Sequence, residues 1–112
     1  MARQKMYFRY EIPTNVVNIV KAICVDYDRR KQLLRNDSAL DPDVRAELLS
    51  LNVALESALD NVEIGIRKII LGDIQNNRGY DHSRSAAFLA KNTYYSRKRK
   101  LIYDIAKKMN LI

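Results

Sequence analysis

Apolar residues recur at three- and four-residue steps along most of this chain, the spacing that puts them on one side of an α-helix. Val16, Val17, Ile19, Val20, Ile23, Cys24 and Tyr27, then Leu33 and Leu34, predict an amphipathic helix from Pro13 to about Arg35. Pro13 suits a first turn, where its missing N–H costs nothing, and Thr14 or Asn15 is an alternative cap. Asn36 to Leu40 reads as a loop, and Asp41-Pro42-Asp43 as the start of the next helix: a capping acid, a helix-compatible proline and a first-turn carboxylate. Val44, Leu48, Leu51, Leu55, Ala58, Leu59, Val62, Ile66, Ile69 and Ile70 then hold one stripe, predicting a long helix or two helices nearly in line. Past Val62, Ile64, Leu71 and Ile74 make the surface apolar almost all round, as in a core or a subunit interface, and Gly65 and Gly72 mark close packing or a bend.

Asn76-Asn77-Arg78-Gly79 closes that region, with Gly79 the expected left-handed residue. Asp81 or Ser83 then caps a short helix from Arg84 to about Ala90, with Ala86 or Ala87, Phe88 and Leu89 inward. After a break at Lys91-Asn92, Asn92 or Thr93 caps a last helix from Tyr94 to about Asn110, whose core stripe is Tyr95, Ile102, Ile105, Ala106 and Met109. Ahead of all this, residues 3–12 mix cations with Tyr7, Phe8 and Tyr10 and fit a short strand or an extended arm. The expected fold class is therefore all-α: an N-terminal helix, a long central helix and a C-terminal helix-turn-helix. Residues 1–77 are expected to form a helical N-terminal or oligomerisation region and 78–112 a helix-turn-helix DNA-binding region, parts of one continuous domain in a 112-residue chain.

Charge changes the picture more than composition does. The net charge is +7, and residues 78–112 hold nine Lys/Arg against two Asp, while residues 1–77 hold eleven of each sign. The whole surplus belongs to the C-terminal third, which calls for an anionic partner there. Nucleic acid fits better than a membrane, because no strongly amphipathic basic helix with bulky lipid-facing aromatics accompanies the charge. Cys24 is the only cysteine, which excludes an internal disulfide and fits the cytoplasm. No leader-like apolar segment opens the sequence, and no run approaches the ~18 apolar residues of a membrane span.

The chemistry concentrates in Thr93-Tyr94-Tyr95-Ser96-Arg97-Lys98-Arg99-Lys100. A recognition helix places polar or aromatic side chains of its first turns at base edges, and cations on phosphates fix its register. Thr93, Tyr94, Arg97 and Lys100 are the candidate base contacts, Arg97 being suited to a bidentate contact with guanine. Arg84, Lys91, Lys98 and Arg99 are the candidate phosphate contacts. Such a run also fits a merely solvated helix face; its place after a short turn and the concentration of charge favour DNA. Arg97 and Lys98 stand where a standard helix-turn-helix buries an apolar residue, which predicts a longer turn.

The same tyrosine pair and basic run, followed by Ile102 and by Ile105-Ala106-Lys107-Lys108-Met109-Asn110-Leu111, resembles the C-terminal part of phage-encoded late-gene transcription regulators of the RinA and ArpU type. Those are similar in turn to the helix-turn-helix of sigma-factor region 4. The likeness spans roughly thirty C-terminal residues. It implies a cytoplasmic, phage- or prophage-encoded protein acting on double-stranded DNA at a promoter, beside RNA polymerase.

One short recognition helix reads few base pairs, which favours a homodimer through Val62–Ile74 or the N-terminal helix. The rival reading from another class is a phage assembly, packaging or adaptor protein whose basic end meets an acidic protein or non-specific DNA; RNA is a further alternative. Enzyme chemistry is not expected. His82 is the only histidine, beside Asp81 but with no second His or Cys at ligand spacing, so neither a metal nor another cofactor is implied. Neither a glycine-rich phosphate loop nor a nucleophile elbow is present.

Overall fold

The computed structural model describes residues 11–36, 39–83 and 89–112. The expected N-terminal arm and most of the helix at Arg84–Ala90, including Arg84 itself, lie outside the described residues. Five α-helices account for the fold among those described: α1 (Thr14–Val25), α2 (Tyr27–Asn36), α3 (Pro42–Leu59), α4 (Arg67–Gln75) and α5 (Lys91–Lys108). Short 3-10 turns at Ile64–Ile66 and Tyr80–His82 interrupt the connections. The protein is all-α. No described helix is long and apolar enough to cross a membrane.

Helix α5 is the hub: it packs against α1, α3 and α4, while α1 also packs on α4 and α2 lies along α3. The core follows from the stripes. Val16, Val20 and Cys24 on α1 meet Leu55 and Ala58 of α3, Val62, Ile66, Ile70 and Ile74, and Leu101, Ile102, Ile105 and Ala106 of α5. Leu101 is fully buried although it fell outside the expected stripe, whereas Tyr95 and Met109 are only partly covered. Burial pushes the Cys24 thiol up to about 12 against the opposing effect of Arg30, so this cysteine packs as an inert small hydrophobe.

One expected continuity is broken, and one that was left open is decided. The N-terminal helix stops at Asp26, whose φ of −89° and ψ of 1° leave helical geometry, and resumes at Tyr27. The break is tied by polar groups invisible to an apolar count. Arg30 is 2% exposed; it donates to the Asn52 side chain of α3 at 2.6 Å and to the Ile23 carbonyl at 2.7 Å, with Asp26 3.6 Å away. Tyr27 adds a second bridge to α3 through Glu56, at 2.5 Å.

The central stripe is two helices, one of the two expected readings. Asp41 caps α3 as expected, accepting from the Asp43 N–H at 2.8 Å with Pro42 in the first turn. The helix ends at Leu59, and Arg67 reaches back to the Val62 carbonyl at 2.7 Å and the Asp60 carbonyl at 3.1 Å, satisfying acceptors that the helix end exposes. The three- and four-residue apolar spacing runs through this break unchanged, which is why periodicity did not reveal it. Gly65 has open space around it, so close packing is not its role. Most of the Val62–Ile74 stripe is spent on the protein's own core; Ile64, 81% exposed, is the exception.

The residue that closes α4 is Asn77, with φ 53°, and not Gly79, whose φ is −94°. The Arg78 N–H bonds to the Asp73 carbonyl at 2.8 Å and that of Asn77 to Ile74 at 3.2 Å, a Schellman closure. Asn110, φ 58°, closes α5 in the same way, with Leu111 bonding to Ala106 at 2.9 Å. Gly79 serves a different need: a Cβ there would lie 3.0 Å from the Tyr95 hydroxyl. Asn77→Gly should leave stability unchanged or raise it, and Asn77→Ala should lower it by about 1 kcal/mol in urea unfolding, the cost of a left-handed non-glycine residue. Gly79→Ala should also destabilise, and Tyr95→Phe, which removes the crowding hydroxyl, should shrink that loss in the double variant.

Candidate nucleic-acid interface

Helix α5 begins at Lys91, earlier than expected, with Ala90 as its N-cap residue and no side-chain cap. Asn92 and Thr93, expected as caps, lie inside its first turn. Starting there, positions 94, 98, 101 and 105 form the inward stripe, and this decides what the basic run can do.

Tyr94, a candidate base contact, is 0% exposed. Its hydroxyl donates to Asp73 on α4 at 2.7 Å, and its ring meets those of Tyr80 and Tyr95 edge-on at 5.3 and 5.1 Å. In this conformation it is a core residue and cannot reach a groove, a correction to the expected face. The reason is register: Tyr94 stands seven and eleven residues before Leu101 and Ile105, spacings that return to the same side of a helix. The expected stripe began at Tyr95 instead. Tyr95 still faces partly inward, and its hydroxyl accepts from the Tyr80 N–H at 3.1 Å.

Asp73 is the centre of this cluster. It is 1% exposed and accepts from Tyr94, from Arg78 Nε at 3.0 Å and from the Ser83 side chain. Burial pushes its carboxyl up, but the hydrogen bonds from Ser83, Tyr94 and Arg78 outweigh burial and hold it below the usual carboxylate range. The same pairing, after burial, raises the Tyr94 phenol. Sequence reading passed over Asp73 because one acid in an apolar stripe resembles any surface acid; its three partners come from three segments.

Lys98 occupies the place on the stripe where an apolar residue was wanted. Its ammonium donates to the Arg78 carbonyl at 2.7 Å and lies 5.5 Å from the centre of the Tyr94 ring, so the aliphatic stem covers the core while the charge finds an acceptor. Burial lowers its pKa, Asp73 opposes that, and Lys21 on α1 adds to it. Lys98 is thereby a fastener between α5 and the Arg78–Gly79 loop, not a free phosphate contact.

Thr93, Arg97 and Lys100 do share a side of α5, at steps of four and three residues. Arg97 donates to both Glu63 oxygens at 2.8 and 3.1 Å, and Lys100 to Asp104 at 2.7 Å; each cation is 37% exposed. Lys91 is exposed, 3.5 Å from Asp81. Arg99 is half-buried, and Lys107 and Lys108 are exposed at the far end of the helix. A basic side therefore exists, but its middle is already paired within the chain.

Tyr94→Phe should cost about 1.5–3 kcal/mol in urea unfolding, the usual worth of a hydrogen bond to a charged group. Because the Asp73 carboxyl is held low, its stabilisation is present above the ordinary aspartate pKa of about 3.9 and is lost as pH falls through the folded value. Unfolding midpoints measured between neutral and acid pH should drop less steeply below that point in Asp73→Asn, from a lower starting stability.

No family profile, curated protein or solved structure matches this chain.

Proposed function

We propose that the protein is a sequence-specific double-stranded-DNA-binding regulator of transcription, encoded by a phage or prophage, acting in the cytoplasm with α5 as the DNA-facing helix. The observation that carries this reading is the charge of that one helix: even with Lys98 spent on the Arg78 carbonyl, Lys91, Arg97, Arg99, Lys100, Lys107 and Lys108 stand against Asp104 alone. A helix with its apolar side sunk in the core and this surplus around the remainder is suited to lie along a phosphate backbone. Thr93, Arg97 and Lys100 are the base-contacting set once Tyr94 is removed from it, with Lys91 and Arg99 as phosphate contacts. The resemblance to late-gene regulators supplies RNA polymerase as the protein partner.

The ion pairs along the helix do not defeat this reading. Glu63 is 57% exposed, and a half-exposed pair such as Arg97–Glu63 is worth at most about 1 kcal/mol, so a phosphate or a guanine can take the arginine over. The same pairs favour the rival reading, a packaging or adaptor protein, if the cations never leave their carboxylates. Glu63→Gln separates the two: it frees Arg97 without touching α5. Selection of bound fragments from random DNA, followed by fluorescence anisotropy on the recovered site, should show several-fold tighter binding for Glu63→Gln and loss of site discrimination for Arg97→Ala. With about four phosphates engaged, log affinity should fall against log salt with a slope near −4. Equal affinity for selected and random DNA, unmoved by Glu63→Gln, would establish the adaptor reading instead.

A further inference from the structure

We infer that the 3-10 turn Ile64–Ile66 is a second DNA-reading element beside α5, in which Ile64 packs against a thymine methyl and Gly65 lets the duplex come close to the backbone. The inference rests on the DNA-binding reading and adds a contact to the same site. The turn borders the side of α5 that carries Thr93, Arg97 and Lys100, because Arg97 donates to both oxygens of Glu63, the residue before Ile64, at 2.8 and 3.1 Å. Successive Cα atoms are about 3.8 Å apart and successive base pairs about 3.4 Å, so a duplex whose base Arg97 touches brings the next base pairs to Ile64.

The turn is built to present this side chain. Val62 and Ile66 on either side of it are sunk in the core, the Ile66 N–H bonds to the Glu63 carbonyl at 3.0 Å, and Arg67 holds the Val62 carbonyl at 2.7 Å. Between these anchors Ile64 is 81% exposed, more than any other large apolar side chain among the described residues. A lone apolar residue on a surface needs no explanation by itself. One fixed on both sides, next to the partner of a base-contacting arginine, is placed to be covered by whatever that arginine meets. In the major groove the apolar group at the base edge is the C5 methyl of thymine.

Gly65 points the same way on separate grounds. Its φ is not positive, and a Cβ there would meet nothing within 4 Å among the described residues, so neither backbone geometry nor packing within the chain calls for glycine. Close approach of a ligand to the backbone is the further use of a residue without a side chain. The charge around the turn permits a polyanion: Arg67, Lys68 and Arg97 outnumber Asp60 and Glu63.

The test replaces the thymines of the selected site by deoxyuridine one at a time, which removes only the methyl, and reads affinity by fluorescence anisotropy. Wild type should lose about three- to fourfold at one thymine close to the base whose identity Arg97→Ala ceases to discriminate, the worth of one buried methyl group. Ile64→Ala should bind the unmodified site that much more weakly and be indifferent to the same replacement. Gly65→Ala should unfold at the same urea concentration as wild type or a higher one, yet bind the site several-fold more weakly. Equal responses of wild type and Ile64→Ala to every deoxyuridine, with Gly65→Ala binding as wild type, would overturn the inference while site discrimination lost in Arg97→Ala keeps the reading of α5. A wild-type protein without preference among DNA sites would remove both.

Discussion

A single buried carboxylate, Asp73, holds the C-terminal half of the molecule in register. It lies near the end of α4, and its partners arrive from the loop that follows, from the 3-10 turn after that, and from the first turns of α5. An ionised carboxylate at 1% exposure is tolerable only with its hydrogen-bonding capacity well filled, so the positions of Arg78, Ser83 and Tyr94 are mutually dependent. Displacing one would leave a buried charge short of partners. That constraint places the first turns of α5 against α4, and with them the inward register of positions 94, 98, 101 and 105.

Around this centre the tyrosines and Lys98 act as one assembly. Tyr80, Tyr94 and Tyr95 stack edge-on in sequence, the Tyr95 hydroxyl receives the Tyr80 N–H across the space left by Gly79, and Lys98 closes the top by bonding to Arg78. A second polar centre, Arg30 with Asn52 and the Ile23 carbonyl, does comparable work at the α1–α2 break. No buried side-chain nitrogen or oxygen among the described residues lacks a partner. Fully satisfied networks of this kind specify one arrangement of helices where apolar stripes alone would permit several.

The basic run consequently has two duties. Lys98 belongs to the fold. Arg97 and Lys100 are held by carboxylates at their own surface, at distances typical of charged pairs but with enough exposure for exchange. In the DNA-binding reading these carboxylates hold the long side chains in place before a ligand arrives, and they lower the affinity for arbitrary polyanions by the cost of displacing them. Whether the cations exchange partners is therefore the feature that divides a DNA reader from an adaptor.

Much of the fold was legible in the sequence. The all-α class, the Asp41 cap and most of the buried positions of α1 and α4, with Leu55 and Ala58 of α3, follow from apolar spacing and capping chemistry, which act over a few residues and leave a local signature, although Ile19 and Val44 of the expected stripes are exposed. The concentration of positive charge in the last third was equally plain, because charge is additive along the chain. What the tertiary structure alone decided were features whose partners are distant: the breaks at Asp26 and after Leu59, which Arg30 and Arg67 support without disturbing the apolar period; the left-handed closure at Asn77, where a nearby glycine offered a false candidate; and above all the fate of Tyr94 and Lys98. Both look like surface chemistry in a run of hydroxyls and cations. Only contact with Asp73 and the Arg78 carbonyl, residues about twenty positions away, turns one into core and the other into a fastener, since a hydrogen bond across that separation leaves no mark on local spacing.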